Sequence, residues 1–475
     1  MKEERASENL ELHMALEAIF RELGCTEADT GGSVNIIGTD PVAPSPHRLG
    51  EASSIALAAL GTEMAALWRD RSGRGQDVVV RVVDAINNMA SIFFCRANGV
   101  PAVQLWEPNL LGNCAFYPSR TGRSVFIMTS YPHMRDVACD VLDCAPLKAK
   151  MAAAVTKWDP FELEDAICGG GSVAMAVRTF DEWLAHLQGQ WLSSQPLVRI
   201  EKIGDAPPEP FPELGENGLP LAGLRVLDNT HVLAGPVSAR IMAEYGAQVL
   251  QMSHPAYPDP LAFVVETGGG KRAAYCNLSN RDEAAVFWNL LSKADVYTTS
   301  YLGLDAKGYA PAQLAAARPG LVVLDLRAWG TEGPWANRGG FDQVACAATG
   351  FSAAEGSFDK PSLPPTYTLN DYLLSILGAA GTVEALRRRA REGGSWRVHV
   401  DLARAAMWVQ SLGTIARELL AGLSFVPAQI NARLQTVAGP FGNVTYLPPQ
   451  IEFSELRPGL AFSAHPLGSS PMAWW

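Results

Sequence analysis

The chain has 475 residues, of which 48% are hydrophobic and 18% charged, and its net charge is −11. This composition is typical of globular proteins with two or three domains, and the negative charge argues against a general nucleic-acid binder. No apolar run reaches the length of about 18 residues that a membrane span needs. The acidic start lacks a signal-peptide pattern. The eight cysteines are scattered without a CxxC pair, so we expect a cytoplasmic protein with reduced thiols and no metal site.

Residues 1–205 form the first predicted unit. It contains a helix, a glycine turn and a valine-rich strand, VVVRVVD, that starts at Val78. Short strand and helix patterns follow, such as GRSVFIMTSYPHMRDVACDVLD. This part of the unit therefore predicts a small α+β domain.

A proline-rich segment separates this unit from the rest. Residues 203–223 contain five prolines and four glycines, a composition that packs poorly as helix or strand and usually connects domains. We place the linker at residues 206–221 and a second unit at residues 222–475.

The second unit shows strands that alternate with helices. It begins with the apolar strand LRVLD at Leu224, and later strand patterns are DVYTTS and LVVLDL. This alternation predicts an α/β domain with a parallel sheet. Ligands of such sheets bind at the carboxyl ends of the strands. We therefore expect residues 229–236, 299–304 and 327–334 to surround one crevice.

An internal repeat connects the two units. Residues 55–85 align without a gap on residues 375–405, 320 positions later, and eleven of the 31 residues are identical. Both copies have the pattern of a helix, a glycine turn and a strand. At this offset Glu51 corresponds to Asp371, so a carboxylate opens each of two equivalent helices.

Several loop residues allow either a structural or a binding role. The segment TGGGKRAA, residues 267–274, is similar to half of a phosphate loop, but no Ser or Thr follows Lys271 as a P-loop requires. Lys271 and Arg272 are therefore either a solvated pair or, together with backbone N–H groups, phosphate ligands. His231 and His254 are most simply loop histidines that bond to backbone groups.

Asp371 also allows two roles. It follows PPTYTLN and opens a small-residue helix, so its simplest role is a helix cap or first-turn carboxylate that contributes about 1 kcal/mol. The other role, the reactive group of an enzyme, needs the support of a wider pattern.

Blocks along most of the chain supply such a pattern, because they resemble the family III CoA-transferases. This superfamily includes formyl-CoA transferase, carnitine CoA-transferase and alpha-methylacyl-CoA racemase. LAGLRVLDNTHVLAGPVSARIMAEYGAQVLQMSHP resembles the family's opening block, and RAWGTEGPWANRGGFDQVACAATG resembles a later one. NDYLLSILGAAGTVEAL is similar to the catalytic helix, with Asp371 at its aspartate. In the first unit, RSGRGQDVVVRVVDA resembles the family's GRGQ block.

The resemblance implies a fold and an activity. The fold would be a Rossmann-like, parallel-sheet CoA-binding domain with a smaller α+β domain. The activity would move CoA from an acyl-CoA to a small carboxylic acid, without a permanently bound cofactor. Asp371 would form an aspartyl anhydride and then an aspartyl thioester, near N–H groups of its helix that suit an oxyanion. By the same resemblance, the residues expected to contact CoA are Val232, Leu233, Ala234, His254, Lys271, Arg272, Ser300 and Tyr301.

The chain also departs from the family pattern. Leu302 and Gly303 replace an expected Arg-Pro, and His254 stands at the position of the usual cation after the second strand. Phe341 occupies the position of the racemase histidine, which disfavours a two-base racemase unless another group such as His231 substitutes. A racemase, isomerase or lyase of the superfamily and a non-catalytic CoA-binding relative remain the alternatives.

The order of the blocks is rearranged as well. The first unit has the helix and GRGQ strand but no preceding nucleotide-binding part. Glu51 is therefore either structural or a second acid–base group. We expect either a homodimer, as in the family, or two units that mimic that dimer within one chain.

Overall fold

The computed structural model describes residues 2–106, 112–215 and 218–475. Its strands are, in chain order, β1 (Val34–Ile37), β2 (Val78–Arg81), β3 (Arg96–Ala97), β4 (Val100–Pro101), β5 (Ala115–Pro118), β6 (Ser124–Ile127), β7 (Ala174–Ala176), β8 (Arg199–Gly204), β9 (Arg225–Asn229), β10 (Gln248–Ser253), β11 (Lys271–Tyr275), β12 (Val296–Thr299), β13 (Val322–Arg327), β14 (Ser395–Asp401), β15 (Gln435–Gly439), β16 (Gly442–Tyr446) and β17 (Ile451–Phe453).

Three long helices, Lys2–Leu23, Leu49–Ser72 and Leu369–Glu392, accompany these strands. The shorter helices are Val82–Ala85, Ser91–Phe94, Pro132–Leu142, Lys148–Val155, Pro160–Gly169, Phe180–Ala185, Leu187–Ser193, Ala234–Glu244, Leu261–Thr267, Arg281–Leu291, Pro311–Ala317, Asp342–Ala348, Phe351–Glu355 and Leu402–Ser411. Within the described ranges, no helix is long and apolar enough to cross a membrane.

A seven-stranded sheet forms the centre of the molecule, in the order β11-β10-β9-β12-β13-β14-β8. The strands from β11 to β14 are all parallel, and every residue of β12 is buried, as expected for a sheet covered on both faces. The predicted α/β fold with a parallel sheet is therefore confirmed. The carboxyl ends of β9, β12 and β13 lie at Asn229, Thr299 and Arg327, where the predicted crevice begins.

The two predicted units exchange strands. β8, from the first unit, completes the central sheet by pairing antiparallel with β14. In return, β17 pairs with β2 and β16 pairs with β3 of the first unit. The described part of residues 206–221 contains no helix or strand. The predicted boundary therefore separates the units along the chain but not in space.

The internal repeat is visible in the two longest buried helices. Leu369 follows Leu49 by the offset of 320 positions found in the sequence, and Glu392 follows Ser72 by the same offset. Each helix ends before a glycine with positive φ, 73° at Gly73 and 71° at Gly393, a conformation that suits glycine. The strands that follow, β2 and β14, each pair in parallel with an earlier strand, β1 and β13. We name the two helices the Glu51 helix and the Asp371 helix.

A buried charge cluster joins these two helices. Arg387 of the Asp371 helix lies 3.4 Å from the carboxylate of Glu63 and 2.8 Å from that of Asp70, both on the Glu51 helix. It also lies 3.1 Å from Glu384 on its own helix. Glu63 and Glu384 are buried. A buried carboxylate without a nearby cation is strongly destabilising, so Arg387 compensates charges from both copies of the repeat.

Replacing Arg387 with Met is expected to lower the free energy of unfolding by about 3 kcal/mol, because the buried carboxylate of Glu63 loses its cation. Chemical denaturation followed by circular dichroism measures this loss. Arg391→Met is the matched control, because Arg391 also lies 3.1 Å from Glu384 but is half exposed. We expect the control to lose less than about 1 kcal/mol; equal losses would contradict the role of Arg387.

Candidate active site

Two cavities meet at Asp371. The outer cavity, of about 270 Å³, occupies the crevice at the carboxyl ends of the central strands. The inner cavity, of about 70 Å³, is more enclosed and extends towards the first unit. Val232, Phe341 and Asp371 line both cavities. Asp371, which is 7% exposed, therefore lies where groups bound in the two cavities would meet.

Asp342 holds the start of the Asp371 helix. Its Oδ2 accepts the backbone N–H groups of Asn370 and Asp371, at 2.5 and 2.9 Å, and its Oδ1 accepts the side-chain amide of Asn370 at 3.1 Å. First-turn N–H groups have no partner within a helix, and Asp342 supplies one. The two N–H groups are thereby occupied, although the resemblance suggested N–H groups of this helix for an oxyanion.

The carboxyl groups of Asp342 and Asp371 repel each other when both are ionised. Burial, together with the charge of Asp342, raises the pKa of Asp371 well above its usual value. Burial also raises the pKa of Asp342, to about 6. A carboxylate with a raised pKa is more basic and therefore a better nucleophile once it is ionised.

The turn after β9 and the end of β12 form one wall of the outer cavity. The His231 ring stacks on Tyr301 with a centroid distance of 4.4 Å, and its Nδ1 lies 3.1 Å from Oγ of Ser300. Burial lowers the pKa of His231 to about 4, so the ring is neutral at pH 7. Ala234 lines the same cavity, whereas Leu233 lines the inner one.

Backbone strain lies in the walls of the two cavities. Val232 has a φ of 68°, and its N–H donates to both carboxylate oxygens of Asp259 at 3.2 Å. Tyr131 of the first unit donates its hydroxyl to Asp259 at 2.6 Å. Tyr367, which lines the inner cavity, has a φ of 66°. Positive φ in a β-branched or bulky residue is costly and concentrates at functional sites.

Two arginines that the sequence analysis did not identify line the outer cavity, Arg327 and Arg338. Arg327 is held 3.1 Å from Asp325, and Arg338 is held 2.7 Å from Glu164 of the first unit. Arg327 ends β13 and opens the third loop of the predicted crevice, which was a signal for it in the sequence. Arg338 carried no local signal, because its position depends on contacts between the two units.

Three cations predicted to contact CoA lie elsewhere. Lys271 begins β11 and is fully buried, with its ammonium 2.8 Å from Asp228, so the prediction that it faces phosphates is wrong. The guanidinium of Arg272 lies 4.4 Å from the Trp475 ring. His254 Nδ1 accepts the N–H of Ala256 at 3.1 Å, the structural role allowed for it. None of the three lines either cavity at Asp371.

Glu51 has the same helix position as Asp371 but different surroundings. Asp40 accepts the N–H groups of Gly50 and Glu51, at 3.3 and 2.9 Å, as Asp342 does in the other helix. The Glu51 carboxylate, however, lies 3.1 Å from Arg48. The residue that corresponds to Arg48 in the Asp371 helix is Thr368. Each of the two carboxylates therefore has a capping carboxylate nearby, but Glu51 also has the cation of Arg48 beside it.

The first unit supplies much of the inner cavity. Its contribution comes from Ile92, Phe93, Val103, Trp106, Cys114, Met128 and Ser130. The second unit adds Phe263, which packs edge to face on Trp106 at a centroid distance of 4.4 Å. Residues from one chain thus line both sides of the site. Sequence reasoning missed this wall because apolar residues in short segments carry no signal for the ligand they face.

Comparisons with known proteins identify a family for part of the chain. Residues 221–439 match the sequence model of CoA-transferase family III. The matched part of the chain is thus similar to CoA-transferase family III, and it contains Asp371 and most of the outer cavity.

Curated relatives match just under half of the chain. The alpha subunit of succinyl-CoA–L-malate CoA-transferase from Chloroflexus aurantiacus is 32% identical over 42% of this chain and 50% of its own length. Acetyl-coenzyme A transferase nodX from Hypoxylon pulicicidum is 32% identical over 47% of this chain and 38% of its own length. The chain thus matches half or less of the length of these relatives.

Solved structures show partial similarity. A CaiB/BaiF family protein from Brucella suis aligns with 48% of this chain and 65% of its own, at 24% identity and a TM-score of 0.37. Rv3272 from Mycobacterium tuberculosis aligns with 42% of this chain and 57% of its own, at 26% identity and a TM-score of 0.39.

Replacing Asp371 with Asn is expected to stabilise the protein at pH 8 by about 1 to 2 kcal/mol, as removal of a strained functional group often does. The folded-state pKa of Asp371 is raised, so the native state loses stability as pH rises from the unfolded pKa, about 4, towards the folded one. The gain should therefore vanish near pH 4. Thermal unfolding of both proteins across this pH range measures the effect.

The control for this experiment is Asp359→Asn, which removes an exposed carboxylate and should change stability little at any pH. A lower stability of the Asp371→Asn protein at pH 8 would show that the ionised carboxylate is compensated in the folded state and would contradict the strain described here.

Proposed function

We propose that the protein is a CoA-transferase that moves CoA from an acyl-CoA to a carboxylic acid through a covalent intermediate on Asp371. The observation that carries the proposal is the position of this carboxylate at the junction of the two cavities. The outer cavity would take the pantetheine arm of CoA, and the inner cavity would take the acyl group. The family match and the CoA-transferase activities for which the relatives are named support the reaction class.

The reaction would begin with an attack of an Asp371 oxygen on the thioester carbonyl. A C–O bond forms, the C–S bond breaks, and CoA leaves as a thiolate towards the outer cavity. The thiolate then attacks the aspartyl carbonyl, which releases the donor acid as a carboxylate and leaves CoA on Asp371. A carboxylate is a weak nucleophile, so positioning and the raised basicity of Asp371 would supply much of the rate.

The acceptor acid completes the cycle by the same two steps in reverse. Its carboxylate attacks the aspartyl thioester, and the released thiolate attacks the acceptor's own carbonyl in the new anhydride. The products are the new acyl-CoA and ionised Asp371, with no net uptake of a proton. Arg327 and Arg338, which line the outer cavity, are the cations available there to the phosphates of CoA.

A single chain would suffice for this reaction. The first unit lines the inner cavity and positions Arg338, while the second unit supplies Asp371 and the crevice. This arrangement supports the prediction that the two units mimic a dimer within one chain.

The racemase alternative receives little support from the site. Phe341 lies at the predicted racemase position and lines both cavities as a buried ring without a proton to exchange. His231 shares the outer cavity with Asp371, but its lowered pKa makes it a weak base at pH 7. Wash-in of solvent deuterium at the α-carbon of an acyl-CoA, without CoA transfer, would favour the racemase instead.

Incubation with a panel of acyl-CoAs followed by hydroxylamine is expected to convert Asp371 into its hydroxamate, because hydroxylamine attacks activated aspartyl carbonyls. Mass spectrometry of the peptides locates the modification. Asp371→Asn should lose modification at this position and lower the transfer rate at least about 1000-fold, since the nucleophile is removed.

Glu51→Gln is the matched control, because it changes the corresponding carboxylate of the other helix. We expect this variant to keep both the modification of Asp371 and the transfer activity. A hydroxamate on Glu51, or transfer by the Asp371→Asn protein at the unaltered rate, would overturn the proposal.

A further inference from the structure

The inner cavity differs from the outer one in its chemistry. Its described lining contains no Lys, Arg or His, and Asp371 is its only charged residue. The outer cavity, by contrast, is lined by Arg327, Arg338 and His231. A charged group is stable out of water only when it is paired and hydrogen bonded. Among its described lining residues, the inner cavity therefore offers no cation that could pair with a negative charge.

The walls of the inner cavity are mainly apolar and rigid. The lining includes the aliphatic or aromatic side chains of Ile92, Phe93, Val103, Trp106, Leu233 and Phe263. Trp106 and Phe263 pack edge to face, and Phe93 stands edge on to Tyr367 at a centroid distance of 6.4 Å. Aromatic pairs of this kind hold their geometry. The cavity therefore selects by shape as well as by polarity.

The volume limits the size of the group that fits. The cavity measures about 70 Å³, roughly half of the 150 Å³ that an engineered apolar cavity uses to hold benzene. By this comparison it accommodates about three carbon atoms and excludes a phenyl ring.

From these observations we infer that the acyl groups transferred by this protein are short, uncharged aliphatic groups, such as isobutyryl or propionyl. The inference rests on the proposed function, because it requires the acyl carbonyl to sit at Asp371. A donor with a second carboxylate would place a charge beside apolar walls and Asp371, and would be rejected. An aromatic acyl group would be rejected by size.

The exchange of isotope-labelled CoA into acyl-CoA tests this assignment without an acceptor acid. Attack by Asp371 forms the mixed anhydride and releases CoA thiolate, and a labelled thiolate then attacks the acyl carbon to return labelled acyl-CoA. Isobutyryl-CoA, succinyl-CoA and benzoyl-CoA are compared with the full chain under identical conditions. We expect exchange with isobutyryl-CoA to exceed exchange with the other two at least about 100-fold in kcat/KM.

The outcomes separate this assignment from the proposed function. Exchange with succinyl-CoA or benzoyl-CoA at the rate of isobutyryl-CoA would overturn the acyl assignment and leave the transferase intact. If none of the three acyl-CoAs exchanged labelled CoA, the result would overturn the proposed function and the acyl assignment with it.

A substitution in the wall of the inner cavity tests whether this cavity sets the preference among acyl groups. Phe93→Ala removes a half-buried ring from the lining and should raise the ratio of benzoyl-CoA to isobutyryl-CoA exchange at least about tenfold. Phe180→Ala, which removes a ring that lines neither cavity, should leave the ratio unchanged. An unchanged ratio in the folded Phe93→Ala protein would show that the acyl group lies elsewhere.

Discussion

The Asp371 helix is buried along most of its length, so other side chains have to satisfy the unpaired groups and charges at both of its ends. At the carboxyl-terminal end, Arg387 binds acidic residues of the Glu51 helix and Arg389 lies 2.9 Å from Asp295. At the amino-terminal end, Asp342 accepts the N–H groups of the first turn. Burial raises the pKa of Asp371, and the cap, which is itself a carboxylate, adds a negative charge beside it that raises the pKa further. The same contact that completes the helix therefore supports the reactive role proposed for its first carboxylate.

The Glu51 helix has a similar cap but different residues around its first carboxylate. The capping carboxylate is retained as Asp40, but Arg48 neutralises Glu51. The first unit instead lines part of the inner cavity and contributes β8 to the central sheet. The two copies of one element thus place their first carboxylates in different surroundings, while a shared charge cluster joins the two helices.

Local patterns in the sequence were sufficient for the parallel sheet and the repeated helices. The alternation of apolar strands and helices predicts β9, β12 and β13 correctly, since these elements are fixed by short-range periodicity and burial. The repeat at the offset of 320 predicts two equivalent helices, and the observed helices begin and end at positions related by that offset. The resemblance to the family then selected Asp371, which the physics of a helix cap alone did not.

What the sequence did not predict depends on contacts between distant segments. β8 and β17 cross between the units, and no local pattern specifies such a pairing. Lys271 was placed in a solvated glycine loop or on phosphates, but it begins β11 and its side chain turns towards Asp228 in the core. Arg338 reaches the outer cavity because Glu164 of the first unit holds it. The apolar lining of the inner cavity is likewise assembled from segments far apart in the chain.

The central claim is that Asp371 forms a bond to the acceptor acid during each turnover. The most direct test is a single turnover with an acceptor whose carboxylate carries oxygen-18, followed by mass spectrometry of the peptides. If the acceptor forms an anhydride with Asp371 and the thiolate attacks the acceptor carbonyl, one labelled oxygen remains on Asp371. The account predicts this label on the Asp371 peptide and none on the Glu51 peptide. Transfer of CoA without any label on Asp371 would contradict it.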